Sequence, residues 1–204
     1  MQVWLYNDDG AEMLNGSVKQ VICLPKGHIY RFDQHGQLIY SKTIKWAPPG
    51  RKNDTVEELM YKYVSDKGGQ PTTMIGNYIG NYDQSKWRLG PFGRIFDYEL
   101  YFNDPSKSRL IGTYKYDVNG NMTERDQRDS GFLTLIGDTL KCKYDSKNHL
   151  VESNLHMEEF HLIKTYYYYK SWDSHNNWTK RIVRTETMLR DTIVDTVIRK
   201  ITYY

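Results

Sequence analysis

The feature that most constrains this chain is a recurring motif: an aromatic residue, an aspartate, two variable residues, then glycine or asparagine. It reads Phe32-Asp33-Gln34-His35-Gly36, Tyr116-Asp117-Val118-Asn119-Gly120, Tyr144-Asp145-Ser146-Lys147-Asn148 and Trp172-Asp173-Ser174-His175-Asn176, with even spacing at Asp117, Asp145 and Asp173. Weaker copies are Tyr82-Asp83-Gln84-Ser85-Lys86 and Asn103-Asp104-Pro105-Ser106-Lys107, with a degenerate one at Asn7-Asp8-Asp9-Gly10. Asp opens a type I turn by accepting backbone N–H bonds, and the fourth position needs positive φ, which suits Gly and is tolerated by Asn. Such a turn with a one-residue bulge joins two antiparallel strands. The residue before Asp then faces the residue five positions after it. The rule predicts four cross-strand pairs, Phe32 with Leu38, Tyr116 with Met122, Tyr144 with Leu150 and Trp172 with Trp178, each aromatic against apolar or aromatic.

The residues between the turns suit strands. The chain holds 18 Tyr, and Ala occurs only at positions 11 and 47, a bias away from helix and toward a pleated, half-buried surface. Runs such as Thr113-Tyr114-Lys115-Tyr116 and Thr165-Tyr166-Tyr167-Tyr168-Tyr169 enter the turns, and Trp178 to Val183 leaves one with alternating charge. The expected fold is mainly β: one domain over 1–204, an antiparallel meander of repeated hairpins in an open or curled sheet, clearest over 110–204, with Ile193 to Tyr204 as the last strand. Whether the meander closes into a barrel, forms a sandwich or stays open is left undecided by local pattern. One segment breaks the strand pattern. After Ala47-Pro48-Pro49-Gly50, Val56, Leu59, Met60, Tyr63 and Val64 follow helical spacing behind an Asn53-Asp54-Thr55 cap, so a short amphipathic helix is expected over about 54–65, stopped by Asp66 to Pro71.

Several function classes are excluded or disfavoured. A formal charge of +3, with Lys and Arg scattered, is no nucleic-acid footprint. Cys23 and Cys142 lie far apart without a zinc pattern, so no metal or cofactor is expected, and whether the two pair is left open. No run of apolar residues is long enough for a membrane-spanning helix, and Met1 leads into a mixed polar segment rather than a basic leader. The histidines of His156-Met157-Glu158-Glu159-Phe160-His161 would point to opposite faces of a strand, which argues against a shared metal. Leu89-Gly90-Pro91-Phe92-Gly93-Arg94 lacks the phosphate-loop pattern and reads as a connection. The turn aspartates each have a capping role, so no catalytic residue is nominated.

The copies led by Tyr114-Lys115-Tyr116-Asp117-Val118-Asn119-Gly120-Asn121, and the ending Trp172-Asp173-Ser174-His175-Asn176-Asn177-Trp178-Thr179-Lys180-Arg181, resemble the Tyr-Asp (YD) or Rhs-type repeat of uncharacterised secreted or lipid-anchored proteins of the Bacteroides type. The resemblance implies stacked hairpins, an extracytoplasmic home and no catalytic residues in the repeats. The expected function is a non-enzymatic, surface-associated or secreted module that binds carbohydrate or a partner protein on exposed rings, with Tyr114, Tyr116, Tyr166, Tyr168, Trp172 and Trp178 as the candidate surface. The alternatives are a polysaccharide-acting hydrolase, which needs two facing carboxylates, and an immunity-type protein that binds a cognate toxin.

Overall fold

The structure is a computed structural model that describes residues 2–7, 10–25, 27–45, 55–79, 84–90, 94–101, 108–129, 137–157, 161–187 and 191–204. They form sixteen strands: β1 (Gln2–Asn7), β2 (Gly10–Asn15), β3 (Val18–Leu24), β4 (His28–Phe32), β5 (Leu38–Lys45), β6 (Thr55–Ser65), β7 (Pro71–Tyr78) and β8 (Gln84–Leu89) in the first half. The second half holds β9 (Ile95–Tyr101), β10 (Ser108–Tyr116), β11 (Met122–Asp129), β12 (Gly137–Tyr144), β13 (Leu150–Met157), β14 (His161–Trp172), β15 (Trp178–Glu186) and β16 (Thr192–Tyr203). Each strand from β3 onward pairs antiparallel with the next, and β16 returns to pair with β3, so fourteen strands close a barrel.

The turn motif does locally what its chemistry dictates. The Asp33, Asp117, Asp145 and Asp173 backbone N–H groups donate to the carbonyl four residues on, and the fourth turn residue donates back to the Asp carbonyl. Gly36, Gly120, Asn148 and Asn176 all have positive φ, between 61° and 87°. All four predicted pairs face each other, with a register shift beside each as the bulge requires. A fifth turn has the same form: Asp66-Lys67-Gly68-Gly69, with Gly69 at φ 79° and Ser65 opposite Pro71. Of the weaker copies, that at 82–86 does not form the expected bend over its described part, since Gln84, Ser85 and Lys86 open β8, and that at 103–107 lies outside the described residues. Each of the five turns follows an even-numbered strand, so all lie at one end of the barrel.

Three expectations are corrected. The segment expected as a helix over 54–65 is β6, eleven residues paired to β5 and β7, and no helix occurs among the described residues. Its proposed Asn53-Asp54 cap lies outside them. The meander is neither open nor merely curled: backbone pairs from Ile198 with Leu24 to Tyr203 with Val18 seal it. A closed barrel is also not the open, extendable shell that the YD/Rhs-type resemblance implied, because every barrel strand already has two partners and no edge remains for another hairpin to extend.

Side-chain alternation divides the barrel into an inner and an outer wall. One inner row runs across paired residues Tyr63, Met74, Trp87, Tyr98, Gly112, Gln127 and Asp138, and the next includes Tyr114, Arg125, Leu140 and Leu155. The opposite face carries cross-strand ion pairs: Lys42 with Glu58 at 2.8 Å, Lys115 with Glu124 at 2.6 Å, Lys143 with Glu152 at 2.9 Å, and Arg88 with Asp97.

The hairpin of β1 and β2 stands apart as a two-stranded sheet, and β2 reaches the inner wall. Leu14 packs with Val18, Val21, Tyr30 and Phe32, all buried. Its exit is clamped at the turn end. Asn15 N–H donates to Asn177 Oδ1 at 2.8 Å, while Asn177 Nδ2 donates to Asn15 O and to the Tyr203 hydroxyl, each at 2.8 Å.

Candidate functional site

The lumen has two chemically different sides. On the side of β14 to β4 it is filled. There Glu12 of β2 is buried against Arg181 of β15, Arg199 of β16 and Trp178. Arg181 Nη1 donates to Glu12 Oε1, and Arg199 Nη2 and Trp178 Nε1 both donate to Oε2, each at 2.8 Å. The two guanidinium carbons lie 4.4 and 3.6 Å from the Trp178 ring centroid, so the indole face offsets part of their charge. Burial pushes the Glu12 carboxyl up, but Arg199, Arg181 and the hydrogen bonds outweigh it and hold the group at about 2.

On the side of β6 to β12 the inner wall carries rings and polar groups, with Tyr61, Trp87, Tyr114, Arg125 and Gln127 half-buried among the buried Leu59, Met74, Ile95 and Tyr98. Trp87 lies against the backbone of Gly76, where an added Cβ would come within 2.8 Å of the indole, and Tyr98 lies against Gly112, where an added Cβ would overlap the ring. Glycine is therefore required at both places for the rings to lie against the wall. Tyr61 packs against Trp87, with centroids 5.6 Å apart, and Tyr114 against Tyr98, at 5.9 Å. Polar groups stand in the same rows. Arg125 contacts Asp138 at 3.2 Å, the Tyr98 hydroxyl donates to Gln127, and Tyr61 shares a 2.8 Å hydrogen bond with Ser41. Burial raises the Tyr61 and Tyr98 hydroxyls well above the ordinary tyrosine range, so both remain neutral donors. Rings beside fixed donors and acceptors can hold a polar molecule that has flat apolar faces.

The expected aromatic surface is distributed over both walls. Tyr114 and Tyr116 point inward and are half-buried, and Trp178 points inward beneath Glu12 with 5% exposure. Tyr166 and Tyr168 lie on the outer wall, Tyr168 at 46% exposure. Trp172 is at the turn end, 4.4 Å from the His149 ring and 5.2 Å from that of Tyr169. Sequence reasoning missed Glu12, Arg181, Arg199, Trp87, Tyr98 and Arg125. The available signal was a pair of arginines at inward-facing positions on strands that the alternation pattern marks as core-lining.

Cys23 and Cys142 are both free thiols. Among the described residues no cluster of three or more His, Cys, Asp or Glu could hold a metal ion. Of the His156 to His161 segment, residues 158–160 lie outside the described structure. No helix among the described residues is long and apolar enough to cross a membrane, which leaves crossing by strands open.

No family model matches the sequence, and no curated protein matches it. The YD/Rhs-type resemblance thus has no support from a family match. Among solved structures, the fold is similar to that of a porin-like protein from Bacteroides uniformis ATCC 8492, with TM-score 0.53 and 10% identity, covering 98% of this chain and 94% of the other. What the two share at that identity is the class of closed antiparallel barrel. No particular protein is identified by it.

Proposed function

We propose that this chain is a non-enzymatic extracytoplasmic barrel whose outer wall faces water and whose lumen holds a carbohydrate against the wall of β6 to β12. The observation that carries the reading is the pair of rings packed against Gly76 and Gly112, beside Arg125, Gln127 and Asp138. A sugar ring offers C–H faces that stack on aromatic rings, and hydroxyls that need donors and acceptors close by. The extracytoplasmic placement draws on the barrel class shared with the porin-like protein. Titrating the full chain with a panel of mono- and oligosaccharides, followed by tryptophan fluorescence and calorimetry, tests the reading. At least one saccharide should bind, and Trp87→Ala and Tyr114→Ala should each weaken it at least tenfold while the far-ultraviolet spectrum is kept. Absence of binding across the panel, or equal binding by both variants, overturns it.

A second reading, a membrane pore, is favoured by the fold likeness. The outer wall speaks against it. A lysine on the lipid face of a barrel costs about 2–4 kcal/mol at the bilayer midplane, and Lys62, Lys86 and Lys141 stand exposed on the outer face in the middle of β6, β8 and β12. A water-facing barrel stays monodisperse without detergent and does not float with lipid vesicles; co-flotation would favour the pore. The outward rings Tyr166 and Tyr168 remain the place on this reading for a protein partner, which Tyr168→Ser would weaken in a pull-down with that partner.

A further inference from the structure

We propose that the outer wall of β14 to β16, β3 and β4, in the half nearest the turns, docks an acidic polysaccharide through the exposed cations Lys19, Arg31, Lys170, Lys180 and Lys200. This surface is separate from the lumen, and the inference rests on the proposed function only in that the outer wall faces water.

The cations stand close together. Lys180 lies opposite Ile198, two residues before Lys200 on β16, and Lys200 lies opposite Ile22, two residues from Gln20, which faces both Thr202 and Arg31. Lys170 and Lys19 stand at the register shifts of β14 and β3 beside them. At the spacings of a sheet, Lys180, Lys200 and Arg31 follow one another roughly 8–12 Å apart, about one Debye length in physiological salt, so their fields add. On β8 to β13 the wall balances its charges instead, with Arg88 on Asp97, Lys115 on Glu124 and Lys143 on Glu152. Among the described residues none of the five cations forms an ion pair. Asp33 and Asp173, at the same end, turn their carboxylates to backbone N–H groups of their own turns. Like charges left unbalanced on adjacent strands cost stability, and a bound polyanion removes that cost. The neighbouring groups favour a glycan. The exposed Ser171 and Thr179 hydroxyls, 2.9 Å apart, and the exposed Thr202 supply donors and acceptors for sugar hydroxyls. Lys19 lies over the Tyr204 ring at 5.5 Å and Arg31 over the Tyr40 ring at 4.8 Å, so these rings hold cations rather than offer a platform for nucleic-acid bases. The apolar anchors that a protein partner would seek, Tyr168 and Val194, lie farther from the turns.

The test titrates the full chain with polygalacturonate, with dextran as the neutral glycan and poly-glutamate as the acidic polypeptide. Polygalacturonate should bind saturably and dextran should not, and raising the salt from about 0.05 M to about 0.5 M should weaken binding at least tenfold as the charges are screened. Lys180→Glu/Lys200→Glu should weaken it at least tenfold. Lys62→Glu/Lys141→Glu, the same change in charge on the other side of the barrel, should stay within about twofold of the wild type; all these side chains are exposed, and an unchanged far-ultraviolet spectrum checks the fold. Equal losses in the two double variants would mean attraction to net charge and overturn the surface. Tighter binding of poly-glutamate than of polygalacturonate would overturn the glycan in favour of a protein partner. No binding of polygalacturonate by a chain that is monodisperse without detergent overturns this proposal and leaves the lumenal reading standing. No binding together with co-flotation on lipid vesicles overturns the water-facing wall on which both rest.

Discussion

Single residues carry more of this fold than their number suggests, and Glu12 is the sharpest case. Its carboxyl is held at about 2 against an ordinary value of 4.5, so the ion pair's contribution is complete above pH 4.5 and is lost as the pH falls from there through 2. Glu12→Gln is expected to cost about 3–5 kcal/mol near neutrality, as breaking a buried pair does, and its unfolding free energy should converge on that of the wild type toward pH 2. Denaturant unfolding of both proteins at several pH values checks this; a gap independent of pH would contradict it. Two backbone positions have the same all-or-none character. Asn176 sits at φ 61°, so Asn176→Ala should cost about 1–2 kcal/mol while Asn176→Gly stays within about 0.5 kcal/mol of the wild type. At Gly112 the limit is space instead. A methyl group there meets the Tyr98 ring, and Gly112→Ala should lose about 1–3 kcal/mol by overpacking, read as a lowered denaturant midpoint.

At the level of elements, each Asp-led turn is a small machine in which one carboxylate oxygen accepts backbone N–H groups. In the turns at Asp33, Asp66, Asp145 and Asp173 that oxygen takes two, two and four residues on, at 2.8–3.0 Å. Asp173 also accepts the Tyr203 hydroxyl, which ties its turn to β16. Asp173→Ala should therefore destabilise more than Asp66→Ala, whose turn is exposed; single turn losses of about 1 kcal/mol are expected for the latter. Matched thermal melts decide the order. These hairpins were legible because their chemistry is local: four residues specify the bend, and the bend specifies the register. The same logic explains the misreading of β6. Val56, Met60 and Val64 point outward, between 47% and 51% exposed, while Leu59, Tyr61 and Tyr63 share the inward face. Apolar residues on both faces satisfy a helical period as readily as an alternating one, and pairing with β5 and β7 decides the outcome. From sequence the Asp66-Lys67-Gly68-Gly69 stretch reads equally as the stop of a helix, and only the strand before it marks it as a hairpin turn.

Closure belongs to the whole molecule, and nothing local announces it. The seam between β16 and β3 joins residues at opposite ends of the chain, and Tyr204, just beyond β16, donates through its hydroxyl to the Phe32 carbonyl at 2.6 Å. The Glu12 ion pair was hidden for the same reason, since Glu12 of β2, which leads into β3, meets Arg181 and Arg199 only after β16 has paired with both β15 and β3. The closed barrel is uneven in consequence. Among the described residues, the buried apolar clusters draw on β2 to β4 and on β11 to β15, whereas in β6 to β9 the buried Leu59, Met74, Ile95 and Tyr98 belong to neither cluster and stand among half-buried rings and polar groups. Local stability follows buried apolar contact, because a segment opens at the cost of the contacts it alone must break. Amide exchange in the native protein should therefore be slowest in β3, β14 and β15 and faster by at least an order of magnitude in β6 to β8, although all six are fully paired barrel strands. A saccharide bound on the ring-lined wall would slow β6 to β12 and leave the Glu12 side unchanged. Uniform protection around the barrel, or slower exchange in β6 to β8 than in β15, would show that backbone closure rather than the filled half of the lumen sets the stability of the barrel.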